Sequence, residues 1–474
     1  MRNTKVYSIL EHFDKYEQNR LRKYLQSPYF NKNETLVDLF ELIVKHINSG
    51  LELDWSKEKV WKKLVPGTSY DDVRFRKYLS DLLKLVEGFL AQQIYEDNPL
   101  HLATYLIEAV GKKNIGKLYN STMKTARRLS KQQKYRPASY YYYQYQVEKN
   151  YYELTGFDIK RTQTTNETAI IQNLDYFYLA EKLRLYCSVQ SRQYLISSKS
   201  ELLFIDEIIK HIERYNFEEI PAITIYYQIY LTQLPDGDHS PFFKLRELLR
   251  KHYQLFSPNQ AYDMYSYAMN YCIRQANKGN QKFLEELFDI YKEVIDNEII
   301  ILADEGLSPW KFKNIIVAAL RLGKYDWTKS FIGNYQQFLP IHFRENAVTY
   351  NLAQLYFYQK KYDKVIEKLR DVEFDDFSYN LNSKTMLVAT YYEMDEIEPL
   401  YSLMDSFRTF LNRRKDFPEE RRQLYTNLIR FTKKLTKLAP NDHATLSKIK
   451  KEVNATKNIA SVNWLREKIA ELEE

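Results

Sequence analysis

Apolar positions recur at helical spacing along almost the whole chain, and between residues 309 and 404 they also recur at a longer interval. The clearest stretch holds Leu352, Ala353 and Tyr356, then Tyr362, Val365 and Leu369. Thirty-five residues further on stand Leu387, Val388, Tyr391, Ile397, Leu400 and Met404, and thirty-seven residues back stand Ile315, Ile316, Ala319, Tyr325, Thr328 and Ile332. Leu352, Ala353 and Tyr356 fall at i, i+1 and i+4, on one side of a helix. The small Ala353 lets a neighbouring helix approach closely. Gln359-Lys360-Lys361 forms a polar turn, and Tyr362, Val365 and Leu369 face inward on a second helix. Neither helix can bury its apolar face alone, so the spacing predicts stacked helical hairpins with parallel first helices over 309–404.

These residues resemble the tetratricopeptide repeat. Leu352, Ala353, Tyr356, Tyr362, Val365 and Leu369 occupy that family's signature places, and the preceding copy keeps the turn as Leu322-Gly323-Lys324-Tyr325. The sequence departs from the pattern in lacking the first Trp and the closing Pro, and in placing Val365 and Leu400 where the second helix normally has a small residue. The resemblance implies an all-α fold, a right-handed superhelical array of antiparallel helix pairs. It further implies that the first helix of each pair lines a concave surface. The exposed positions beside the packing stripe are then Trp310, Lys313, Val317 and Arg321 in the first unit. The second unit gives Tyr350, Gln354, Phe357 and Tyr358, and the third Asn382, Thr385 and Tyr392.

The rest of the chain extends the helical reading. Residues 1–97 form a separate helical N-terminal domain, with helices expected near 3–12, 17–25, 34–48, 56–64 and 71–95. Leu36, Leu39, Phe40, Ile43 and Ile47 make one stripe on the third, and Asn31 or Asn33 is placed to cap it. Arg74 to Leu90 is amphipathic with a basic first turn. It reads as a solvated helix face, with a helix-turn-helix recognition element as the alternative. Asp97-Asn98-Pro99 punctuates the chain. Less regular hairpins are expected over 98–255, repeat-like units over 256–438 and capping helices over 439–474. The final stripe of Val462, Leu465, Ile469 and Leu472 suits the closing helix that an open stack needs.

Composition narrows the class. Eleven Gly and 13 Pro in 474 residues are too few for a β-sandwich or a Gly-rich nucleotide fold. Forty-two Tyr supply rings that pack between helices while their hydroxyls reach the rim. Cys187 and Cys272 sit in aromatic helical runs and read as buried free thiols, as expected in a reducing compartment. Residues 1–21 alternate charged and apolar side chains with no apolar h-region, and no run approaches a membrane span. A cytoplasmic protein without a membrane partner is expected.

No catalytic signature emerges. The eight histidines never pair at i, i+4, and neither a Gly-rich phosphate loop nor a nucleophile elbow is present. Asp236-Gly237-Asp238-His239 contains metal-ligand types but lacks the spacing of a calcium loop and reads as a turn; Asp375-Asp376 reads as a solvated pair. No metal, cofactor or enzymatic activity is expected.

The net charge of +8 is too modest to indicate nucleic acid by itself. The local anomaly is 109–147, which contains no Asp or Glu. It carries Lys112, Lys113, Lys117, Lys124, Arg127, Arg128, Lys131, Lys134 and Arg136, and ends in Tyr140, Tyr141, Tyr142, Tyr143 and Tyr145. Cations beside aromatic rings suit a phosphate backbone with unstacked bases, and suit an acidic protein surface equally. The plainer reading is a solvated basic face followed by a tyrosine-packed helix. The sequence therefore points to a protein–protein interaction scaffold that holds a peptide or protein on its concave face. The partner-binding candidates are Trp310, Lys313, Arg321, Tyr350, Gln354, Tyr358 and Tyr392. The alternative is nucleic-acid binding through 109–147.

Overall fold

A computed structural model describes residues 1–49, 55–154, 166–193, 203–235, 238–303, 306–370, 377–413 and 417–473. Among the described residues every regular element is a helix and no strand occurs. The chain divides into two compact units, Met1–Tyr178 and Leu179–Glu474.

The first unit opens with α1 (Lys5–Glu11), α2 (Lys15–Gln26), α3 (Glu34–Ser49), α4 (Lys57–Leu64) and α5 (Asp72–Glu96). Local chemistry sets their starts. Asp14 and Glu17 form a reciprocal capping box, Asn33 Oδ1 accepts from the Thr35 amide, Ser56 caps α4 and Asp71 caps α5. The α3 stripe is buried at Leu36, Leu39, Phe40 and Ile43. Phe75, Tyr78, Leu82, Val86 and Phe89 of α5 close the same core, so this long helix is central to it. Its basic first turn is partly engaged in packing. The Arg74 guanidinium lies over Trp61 and Tyr78 and donates from Nε to the Tyr78 hydroxyl at 2.8 Å, while Arg76 pairs with Asp72 at 2.7 Å. There follow α6 (Pro99–Lys112), α7 (Gly116–Gln132), α8 (Ala138–Leu154) and α9 (Glu167–Gln193), within which the unit boundary falls. Leu100, Ala103, Ile107, Met123, Ala126 and Val147 pack α6, α7 and α8 together.

The second unit continues with α10 (Ile205–Arg214), α11 (Pro221–Gln233), α12 (Ser240–His252), α13 (Pro258–Asn277), α14 (Lys282–Asp296) and the short α15 (Ile299–Leu302). Then come the three pairs of the recurrent stretch. They are α16 (Pro309–Arg321) with α17 (Tyr325–Tyr335), α18 (Ile341–Tyr358) with α19 (Tyr362–Leu369), and α20 (Phe377–Glu393) with α21 (Ile397–Arg413). The chain closes with α22 (Glu419–Leu435), α23 (His443–Ala455) and α24 (Val462–Glu471).

The interval seen in the sequence is written into the backbone. Each of the three pairs turns through one left-handed residue: Gly323 (φ 68°), Lys360 (φ 56°) and Asp395 (φ 58°). Their separations, 37 and 35 residues, are those of the apolar pattern. In each turn two amides fold back on the last helical carbonyls, as Lys360 N to Phe357 O at 2.9 Å and Lys361 N to Tyr356 O at 2.9 Å. This is the Schellman arrangement, which satisfies carbonyls that a helix end leaves open. Gly279 and Asn114 close α13 and α6 the same way. Inside the pairs, Ile315, Ile316, Ala319, Val365, Leu369, Val388, Leu400 and Met404 are buried, and Ala353 has no exposed surface.

Candidate interaction surfaces

α16 and α18 pack against each other, as do α18 and α20. The Lys313 ammonium lies 5.4 Å from the Tyr350 ring, and Arg321 lies close enough to Tyr358 to act on its hydroxyl. Both pairs are 37 residues apart, and they sit eight residues from one another, or about 12 Å along a helix. Equivalent positions therefore meet at two levels, so α16 and α18 run in the same direction and in register.

The seven candidates separate on this face. Trp310 is 70% exposed at the start of α16, with the Lys313 ammonium 5.7 Å from its ring. Lys313 is half-buried and makes no ion pair with any described residue; burial pushes its pKa below the ordinary lysine value. Arg321 is exposed and Tyr358 is 37% exposed, its carbonyl accepting from the Tyr325 hydroxyl at 3.1 Å. Gln354 is half-buried, and its Oε1 is shut off from solvent without a donor among the described residues. Val317, Phe357, Asn382 and Thr385 are half-buried.

Tyr350 does not belong to an exposed face. It is only 4% exposed, in a cluster with Ala353, Val365, Leu369, Met386 and Leu387, with the Tyr379 ring edge-on at 5.5 Å. Residues of α19 and α20 cover it, which an inner-surface position inferred from α18 alone does not anticipate. Tyr392 is half-buried, edge-on to Trp464 of α24 at 5.3 Å. The terminal helix covers that end of the face.

All nine cations of the basic segment are exposed, along the end of α6, through α7 and into the turn before α8. Two have carboxylates from just outside the acid-free span. Lys112 pairs with Glu108 at 2.5 Å, and Arg127 makes a two-point contact with Glu148 at 3.0 and 3.2 Å while lying over Tyr151. Lys134 lies over Tyr135 and Arg136 over Tyr140. Lys113, Lys117, Lys124, Arg128 and Lys131 form no ion pair among the described residues. Lys124, Arg127, Arg128 and Lys131 border an open groove of about 700 Å³ that Tyr151 and Met123 help to line.

The tyrosine run is largely used in packing. Tyr141 is buried against Tyr176, and burial pushes its hydroxyl up to about 12. Tyr143 packs on the α6–α8 core. Tyr142, at 39% exposed, is held between Tyr143 and Phe177.

Elsewhere the chemistry is structural. Both cysteines are buried and outside any disulfide, their thiols pushed up by burial. Among the described residues no group of His, Cys, Asp and Glu is arranged to hold a metal, and no helix is long and apolar enough to cross a membrane. His239 shares a 2.6 Å hydrogen bond with Tyr271, and Asp238 accepts from the Ser240 amide. Asp236, Gly237, Asp375 and Asp376 lie outside the described residues.

Sequence reasoning missed two charged networks. Arg246, almost fully buried on α12, reaches Glu286 at 2.8 Å and Glu293 at 2.9 Å, and Tyr265 donates to Glu293 at 2.6 Å. Lys468 of α24, buried to 5% exposure, bonds Glu393 of α20 and Glu471, and Trp464 Nε1 donates to Glu393 at 2.7 Å. Apart from Lys468–Glu471, three residues apart, the bonded partners lie 28 to 75 residues apart along the chain, beyond the reach of any local pattern. No protein-family model, curated protein or solved structure matches the chain.

Proposed function

We propose that the protein is a non-enzymatic interaction scaffold that takes a peptide or protein segment along the in-register face of α16 and α18. The supporting observation is the exposed Trp310 indole beside Lys313, a half-buried ammonium with no carboxylate partner among the described residues. Trp and Arg are the side chains that most often anchor partners, and a ring next to an unneutralised cation favours a segment carrying both an apolar and an acidic or carbonyl group. Arg321 and Tyr358 extend the same strip by about 12 Å. On this reading the helix pairs continue as a tetratricopeptide-like superhelix. The test compares the parent chain with Trp310→Ala/Arg321→Ala in affinity purification with mass spectrometry. A stoichiometric protein that is lost from the variant, with the melting curve intact, supports the reading. A partner retained equally by both removes this face from the account.

The open groove of α7 supports a second reading, an acidic partner or nucleic acid held by Lys124, Arg128 and Lys131. Reversing Lys124, Arg127, Arg128 and Lys131 to Glu should weaken heparin retention and any salt-sensitive nucleic-acid binding without unfolding. Undiminished polyanion binding by that variant would leave the segment a solvated face.

A further inference from the structure

A second basic cleft, unrelated to the acid-free segment, lies in the last part of the chain. Arg408 of α21, Arg430, Lys433 and Lys434 of α22, Lys437 just beyond it and Lys448 of α23 converge on a space of about 540 Å³. Positions 430, 433, 434 and 437 follow helical spacing and present one face over about 10 Å. Leu438 and Ile449 give the cleft an apolar part.

The cleft contains two carboxylates, and both are engaged. Glu452 pairs with Lys434 at 2.5 Å, and Asp442 accepts from the Thr445 amide at 3.0 Å as the cap of α23. Arg430 lies over Phe431 and Lys433 over Tyr401, while Arg408, Lys437 and Lys448 make no ion pair among the described residues. The six cations exceed the two carboxylates by four charges. Helix polarity explains part of this, because cations are favoured near the end of α22. It does not explain Lys448, which lies at the middle of α23, nor Arg408 on a third helix. Gathering like charges from three helices is unfavourable unless something neutralises them.

We propose that this cleft binds a multiply phosphorylated small anion. Arg408 and Arg430 supply planar donors for phosphate oxygens, and the lysines supply movable point charges. The cations approach from three helices around a compact space, which matches several phosphates on one small molecule better than an extended strand. The rings at its edge, Phe431 and Tyr401, are buried or half-buried beneath Arg430, Lys434 and Lys433 and offer no free platform for base stacking.

The experiment is titration calorimetry of the full chain with inorganic tripolyphosphate at low salt, with orthophosphate as comparator. Saturable binding of one tripolyphosphate is expected, at least about tenfold tighter than orthophosphate. Arg408→Gln/Lys437→Gln/Lys448→Gln should weaken it by about tenfold or more, whereas Lys15→Gln/Lys23→Gln, exposed positions on α2, should leave it unchanged. The three substituted side chains are exposed, and thermal melts verify the fold; Lys437→Gln alone should still weaken binding by about threefold. If tripolyphosphate gives no saturable heat, or if the triple variant binds it as well as the parent, the proposal fails. It also fails if single-stranded RNA or vesicles of a phosphorylated lipid bind through these residues and free tripolyphosphate does not compete, since the cleft would then be a strand or membrane surface.

Discussion

Replacing Lys468 by Met tests whether α24 is locked onto the repeat by one buried charge network. The side chain is 5% exposed, and its ammonium lies 2.8 Å from Glu393 and 2.6 Å from Glu471. Met keeps the apolar stem and removes the charge, so packing and charge are separated. Removing one member of a buried pair costs about 3–5 kcal/mol when the other is left bare. Glu393 is not left bare, because Trp464 Nε1 still donates to it at 2.7 Å. The expected loss is therefore smaller, about 2–3 kcal/mol. Adding Glu393→Gln removes the orphaned charge and should recover about 1–2 kcal/mol of that. The assay is urea unfolding followed by circular dichroism, with the slope checked for constancy across the set.

The pH dependence gives an independent check. Burial opposes the Lys468 ammonium, but its bonds to Glu393 and Glu471 outweigh that and hold its pKa above the ordinary value. A raised pKa in the folded state contributes stability that is complete below the unfolded value and is lost as pH rises through the folded one. The gap between parent and Lys468→Met should thus stay flat from about pH 6 to 9 and narrow only above about 10.4. A loss under about 0.5 kcal/mol, or a gap that already narrows near pH 8, would refute the network as the lock on α24.

Three further outcomes follow from the repeat geometry. Ala353→Trp should lower stability by about 1–3 kcal/mol in the same unfolding assay, because Ala353 has no exposed surface and α20 and α19 close around it. Lys360→Gly should raise the melting midpoint by the equivalent of about 0.5–1 kcal/mol, since Lys360 holds φ 56° where its Cβ is disfavoured; the gain is limited by the greater freedom of glycine in the unfolded chain. Tyr350→Ala should cost about 3–5 kcal/mol, as for other fully buried rings, and a variant that melts like the parent would return Tyr350 to the surface.

Local patterns carried the helices. The five N-terminal helices begin and end close to the expected residues, because caps such as Asp14 and Asp71 and stripes such as Leu36 to Ile43 are written within a few positions. The turns at Gly323, Lys360 and Asp395 also follow the apolar interval, although two of the three lack the glycine that would flag them. Side-chain exposure was less legible. Tyr350 and Tyr358 are two helical turns apart on α18 and look alike in sequence, yet the first is covered by Tyr379 and the second is open. Which ring is covered depends on how far α20 overlaps α18, and no residue of α18 records that. The acid-free span is likewise incomplete as a guide to pairing: Arg127 finds its carboxylate at Glu148, one residue beyond the span. The cleft around Lys437 was invisible because its cations lie on three helices, each of ordinary composition.

Lys313 offers the sharpest separation of stability from binding. Its ammonium is half-buried without a carboxylate partner among the described residues, and burial depresses its pKa. A lysine with a depressed folded pKa binds fewer protons when folded, so its unfavourable contribution at neutral pH eases as pH rises toward the unfolded value of about 10.4. Two rings act in the other direction, Trp310 at 5.7 Å and Tyr350 at 5.4 Å, each worth about 0.5–1 kcal/mol at a partly exposed site. Met retains the stem and places a polarisable sulfur near the same rings, so the two effects largely cancel. Lys313→Met should therefore change stability by less than about 1 kcal/mol at neutral pH, while weakening a partner held through the ammonium by about tenfold. Urea unfolding and a binding titration on the same preparations separate the two. If the variant loses more than about 2 kcal/mol, the ammonium is a structural part of the α16–α18 contact. If it is stable and binds its partner as the parent does, Trp310 acts without it and the charge has no part in recognition.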